Sequence, residues 1–136
     1  MKTLFESNTF QHKILNAVAY KCMSFALLIG LSSQAFANEV SIVDVKVSCQ
    51  TTCRFSVTLK HDDTGWNHYA NRWEVLDLKG NVLVTRVLHH PHVDEQPFTR
   101  SLGNVQIPDG IKSVIIRAHD SEHKYSEKTV EVVLPK

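Results

Sequence analysis

From residue 40 to residue 134, apolar and polar side chains alternate with a period of two in short runs, and no stretch sustains a helical period. In the run 53–60, for example, Phe55, Val57 and Leu59 fall on one face and Arg54, Ser56, Thr58 and Lys60 on the other. That period sets one side of an extended chain against a core and the other in water. Seven such runs are readable, at about 40–48, 53–60, 71–77, 82–88, 98–107, 111–118 and 128–134. Turn residues separate them, among them Leu78-Lys79-Gly80-Asn81 and Pro108-Asp109-Gly110. The pattern predicts an all-β fold: an antiparallel sandwich of about seven strands, immunoglobulin-like or fibronectin-III-like. Trp73, mid-strand beside outward Arg72 and Glu74, is the expected core tryptophan.

The segment before residue 40 reads differently. A polar stretch carrying Lys2, Lys13 and Lys21 precedes the apolar run Cys22–Leu31, and Ala35-Phe36-Ala37 follows as a small-residue processing site. This is the layout of a secretory signal peptide, with cleavage expected after Ala37. The apolar run is shorter than the roughly 20 residues of a spanning helix. Ala19-Tyr20-Lys21, before Cys22, does not resemble a lipoprotein processing site. The expectation is therefore residues 1–37 as signal peptide and 38–136 as one sandwich domain, periplasmic or secreted.

Charge excludes some partners. With Lys2, Lys13, Lys21 and Glu6 set aside from 15 basic and 14 acidic residues, the domain is close to neutral. It has no basic stripe for nucleic acid and no cationic cluster for an anionic membrane. Neither partner is expected; a protein or redox partner and the oligomeric state are left open. In an oxidising compartment Cys49 and Cys53, facing each other across a three-residue hairpin loop, are expected to form a disulfide.

Histidine placement carries the functional reading. Seven of the eight histidines lie in three stretches: His61 and His68; His89, His90 and His92; His119 and His123. If successive strands run antiparallel, the second, fourth and sixth connections share one end of the sandwich. Those connections, about 61–70, 89–97 and 119–127, hold all seven, whereas the tight turns at the other end hold none. Imidazole is the commonest protein ligand for zinc, copper and iron, and long loops on a rigid scaffold are where function concentrates. Candidate ligands are His61, His68, His90, His92, His119, Asp120 and His123, with Trp66 and Tyr69 as pocket walls. Taken singly, His61 or His89 reads as an ordinary loop histidine, and Asp62, Asp63, Asp94 and Glu95 as solvated loop carboxylates.

A resemblance follows from two motifs. The stretch His61-Asp-Asp-Thr-Gly-Trp-Asn-His68-Tyr69-Ala-Asn-Arg-Trp73 resembles the iron-binding segment of the superoxide reductase (desulfoferrodoxin) family, in which a second histidine precedes a tyrosine and a tryptophan enters a strand. Ala118-His119-Asp120-Ser121-Glu122-His123 resembles that family's Ala-aromatic-Cys-Asn-x-His-Gly loop. The likeness spans roughly residues 60–125. It implies an immunoglobulin-like sandwich and a mononuclear iron held by four histidines and a thiolate, with superoxide as substrate. His61, His68 and His123 match the family's histidine ligands, and Asp120 stands where the thiolate would be. The family's early Lys-His-Val-Pro loop has no counterpart before residue 60, a gap that His89, His90 or His92 would fill. The run His90-Pro-His92-Val-Asp-Glu-Gln-Pro-Phe98 also resembles a stretch in a group of small exported bacterial proteins.

The sequence thus predicts an exported protein with a His-rich mononuclear site, iron or copper rather than zinc, redox-active if the resemblance extends to chemistry. Replacement of the thiolate by Asp120 leaves enzymatic activity open. The alternative is a non-catalytic module that binds a protein or small molecule with the same loops, through Trp66, Tyr69, His92 and Phe98. Metal storage or delivery without turnover is a third reading.

Overall fold

The structure, a computed structural model, describes residues 38–136; the expected signal peptide, with Cys22, lies outside the described residues. Eight strands follow in order: β1 (Ser41–Cys49), β2 (Cys53–Lys60), β3 (Ala70–Leu76), β4 (Val82–Val87), β5 (Phe98–Val105), β6 (Ser113–Asp120), β7 (Lys124–Tyr125) and β8 (Val130–Val133). They form two antiparallel sheets, one of β1-β2-β5 and one of β4-β3-β6 with both β7 and β8 paired to β6. No helix occurs among the described residues. The all-β sandwich expected from the alternation is what forms.

Between the sheets lie the residues that the alternation assigned inward. Phe55, Val57 and Leu59 of β2 and Trp73, Val75, Val114, Ile116 and Ala118 of the facing sheet are each completely buried. Trp73 is the largest of them. Glu74 was expected outward, and it does lie on the outer face, but it is covered rather than solvated. Arg117 donates to it at 2.7 Å, Arg72 at 3.3 Å and the Tyr125 hydroxyl at 3.1 Å, with both guanidinium groups over the Tyr125 ring. Burial alone would raise the Glu74 pKa; the hydrogen bonds from Arg117 and Tyr125 and the charges of Arg117 and Arg72 outweigh it and hold the carboxyl below its ordinary value.

Two departures from the expected strands bear on function. β6 runs on through His119 and Asp120, because Ala70 and Arg72 of β3 continue the ladder to them. After a tight turn β7, too short to show any alternation, pairs back with His119 and Asp120. Residues 119–120 therefore belong to a strand, not to a loop, and they point to opposite faces. The predicted start of the last strand at 128 moves to Val130.

At the opposite end, Cys49 pairs directly with Cys53 in the ladder, with Cα atoms 4.1 Å apart, and the two are disulfide-bonded. Asp77 closes the β3–β4 turn by accepting the amides of Lys79 and Asn81, each at 2.8 Å, with Gly80 at φ 87° supplying the reversal. The Cys49–Cys53 ring is small, so unfolding in urea should show a loss of only about 2 kcal/mol for Cys49→Ser with Cys53→Ser. A much larger loss would mean that the bridge supports more than its hairpin.

Candidate metal centre

Three connections meet at one end of the sandwich, and a single carboxylate binds two of them together. Asp63 accepts the Ala70 amide on Oδ1 at 3.0 Å and the His92 amide on Oδ2 at 2.7 Å, while Oδ1 lies 2.6 Å from His61 Nδ1. The side chains of His61 and Asp63 are fully buried. Asp63 is therefore not the solvated loop carboxylate suggested by its sequence context; a buried carboxylate with three polar partners is a structural anchor. Gln96 adds a second link, accepting the His61 amide at 3.0 Å and donating to the His92 carbonyl at 3.1 Å. Ser121 ties in the third connection: its amide donates to the Tyr69 carbonyl at 3.0 Å, and its hydroxyl accepts the Tyr69 amide at 3.1 Å and donates to the Asn67 carbonyl at 3.0 Å.

Within this frame two donor groups share His68: His61, His68 and Asp120 form one, and His68, Glu122 and His123 the other. His61 and His68 meet edge to face with ring centres 4.7 Å apart, and His68 meets His123 in the same way at 5.0 Å. One donor atom each from His61, His68 and Asp120, all buried, lies within 4.8 Å of the others, and so does one each from His68, Glu122 and His123. Asp120 is held in place by its own turn, accepting the amides of Glu122 at 2.8 Å and His123 at 2.5 Å. His123 Nδ1 stands 3.4 Å from the same oxygen, on the exposed rim.

The decisive atom is His68 Nε2. It is buried without a hydrogen-bond partner, 3.8 Å from Asp120 Oδ1. That separation is too long for a hydrogen bond, and an unsatisfied buried nitrogen costs about 1–3 kcal/mol. It suits two ligands of one ion, because metal–nitrogen and metal–oxygen bonds near 2.1 Å allow ligand atoms up to about 4.2 Å apart. His61 fits the same role. Its Nδ1 is held by Asp63, the carboxylate–histidine arrangement that orients metal-binding imidazoles, which leaves Nε2 as the donor. Nε2 currently lies 3.1 Å from the Asn38 carbonyl oxygen.

The other expected ligands are placed elsewhere. His119 lies on the outer face of β6, opposite to Asp120, with Nδ1 2.8 Å from Asn71 Oδ1 and its ring against Tyr125. His92 is buried next to Asp63, stacked on Phe98 at 3.8 Å, with neither ring nitrogen hydrogen-bonded. His90, exposed, packs on His92 with ring centres 4.6 Å apart, and His89 is exposed as well. Neither His90, His92 nor His119 belongs to the donor groups. Trp66 is 69% exposed at the tip of its loop, 6.0 Å from the Tyr69 ring. It borders a shallow cleft of about 560 Å³ with Pro91, His90, Val93 and Glu95, to one side of the ligand cluster. Sequence reasoning missed Asp63, Glu122 and Asn38; only the spacing of Asp63, two residues after His61, carried a signal.

Two outcomes are expected. Asp63→Asn should cost about 1–3 kcal/mol in denaturant unfolding, since it turns one of the two buried acceptor oxygens that face His61, Ala70 and His92 into a donor, whereas Asp62→Asn, exposed beside it, should cost almost nothing. Burial pushes His119 and His92 below the ordinary histidine value, with the Arg72 charge adding for His119 and the Arg100 charge for His92. An unfolded chain therefore takes up protons on these rings that the folded one refuses. Stability should fall as pH drops below about 6.5, and His119→Gln should flatten that slope. An unchanged slope would show that His119 is not buried in the neutral state.

No family model matches the chain, and no solved structure matches it. A protein of Halomicrobium mukohataei named "Putative lipoprotein" is 38% identical over 103 residues, which cover 74% of this chain. The chain spans about half the length of that curated relative.

Proposed function

We propose that the protein is exported and binds a single metal ion through His61, His68, Asp120 and His123, with Glu122 at the rim. The observation that carries this is the partnerless, buried Nε2 of His68 facing the Asp120 carboxylate, with two further imidazoles within 5.0 Å ring to ring. Export is supported by the signal-peptide layout of residues 1–37, with cleavage after Ala37, and by the relative's name. The disulfide Cys49–Cys53 accords with an oxidising compartment.

Iron or copper is the preferred ion. Three imidazoles and a carboxylate also suit zinc, so the preference rests on the likeness to superoxide reductases. What supports that likeness is that His61, His68 and Asp120, from two distant motifs, form one donor group and that His123 adjoins it through His68. When bound, such an ion supplies one-electron chemistry. Asp120 in place of a thiolate is a harder donor and withholds the electron density that a sulfur ligand provides, so a superoxide reductase-like activity here would run on a different ligand field. One observation favours the second reading, an interaction module: Trp66 and Val93, 69% and 51% exposed, present an apolar edge beside the site.

Elemental analysis of the mature protein, purified without chelator or affinity metal, should find about one iron or copper per chain. His68→Ala with His123→Ala should abolish it while the disulfide-bonded sandwich stays folded. Stoichiometric metal retained in that double variant would overturn the assignment. A protein that takes up no metal, yet loses partner binding in Trp66→Ala, would establish the second reading.

A further inference from the structure

The Asn38 carbonyl oxygen sits 3.1 Å from His61 Nε2, the atom left to serve as donor, and Asn38 is the residue that cleavage after Ala37 would expose. We propose that export processing completes the metal site: the α-amino group released at Asn38 becomes a ligand, together with the Asn38 carbonyl oxygen. This rests on the metal-binding reading above and names a donor that the side chains do not supply.

The segment behind Asn38 is fixed in place, which is what makes its terminus usable. Val40 is 1% exposed, and its carbonyl accepts the buried Ser126 hydroxyl at 2.8 Å. The Glu39 carboxylate accepts the Glu127 amide at 3.2 Å. Asn38 is thus delivered to the loop end by two contacts with the residues following β7. A cleft of about 440 Å³, bordered by Asn38, Glu39, His61, Asp62, Lys60 and Lys128, leaves room for an amine to turn towards His61. Hydrolysis of the Ala37–Asn38 peptide bond by an export peptidase puts the hydroxyl of water on the Ala37 carboxyl and a hydrogen on the Asn38 nitrogen. What was a non-basic amide becomes an amine with a lone pair. Amine nitrogen and carbonyl oxygen of one residue then close a small chelate ring on an ion held by His61 and His68. The precursor has no such donor, so it would bind metal more weakly than the mature chain.

Copper(II) is the probe. Intact mass of the exported protein is expected to show a chain starting at Asn38; a start elsewhere overturns the proposal. The mature protein is compared with two otherwise identical chains, one retaining Ala37 and one retaining Ala35-Phe36-Ala37, each confirmed as folded by its denaturant midpoint. Loss of affinity in both should reach at least the roughly 10–100-fold seen for groups that merely orient ligands. Independently, labelling only asparagine with nitrogen-15 should change the nitrogen hyperfine pattern of the bound copper in the mature chain and leave it unchanged in the extended ones. Equal affinity and unchanged hyperfine structure in all three, with copper still bound, would overturn the amine ligand and leave the side-chain site standing. Copper bound by none of them would overturn both.

Discussion

The buried contact between Asp63 and His61 is the constraint on which the functional end of this molecule depends. One carboxylate with no solvent exposure reaches three separate parts of the chain: its own connection through the His61 ring, the first residue of β3 through Ala70, and the β4–β5 connection through His92. Loops that would otherwise be independent are thereby held at fixed distances. The arrangement also orients an imidazole, since a ring held at Nδ1 has only Nε2 to offer. Asp63 Oδ1 faces one ring nitrogen and the Asn38 carbonyl oxygen the other, so the ring is fixed from both sides.

The second constraint is the reach of β6. Had the strand stopped at Ala118, His119 and Asp120 would have belonged to one flexible loop and could have turned to the same side. Because the ladder with β3 continues, the two side chains are separated by the sheet itself. His119 joins the Glu74, Arg117 and Tyr125 face, and Asp120 joins the ligand cluster. The candidate-ligand and outer-face networks are thus built from adjacent residues without sharing a group.

Much of this is legible in the sequence because it is periodic. Phe55, Val57 and Leu59 declare their strand and its inward face, and so do Val114 and Ile116. The gathering of the histidine-bearing connections at one end follows from strand direction alone. What could not be read depends on partners far along the chain. Asp63 looks like any turn aspartate until the Ala70 and His92 amides are found beside it. Two-residue β7 has no period to detect. The separation of His119 from Asp120 depends on register with β3, which local pattern does not encode. Of the seven candidate ligands, His61, His68, Asp120 and His123 fall in the two donor groups that share His68, while His90, His92 and His119 stand apart.

The candidate ligands come from distant parts of the sequence and from both sheets, and this fixes when in folding they can meet. His61 follows β2 in one sheet, and Asp120 ends β6 in the other; they become neighbours only after both sheets have closed over Trp73. An unfolded chain keeps its histidines but not their spacing, so it would compete poorly for an ion. Binding would then act as a thermodynamic ratchet on the native state. Each tenfold excess of free ion over its dissociation constant would deepen the native well by about 1.4 kcal/mol, a gain that matters for a small domain of marginal stability.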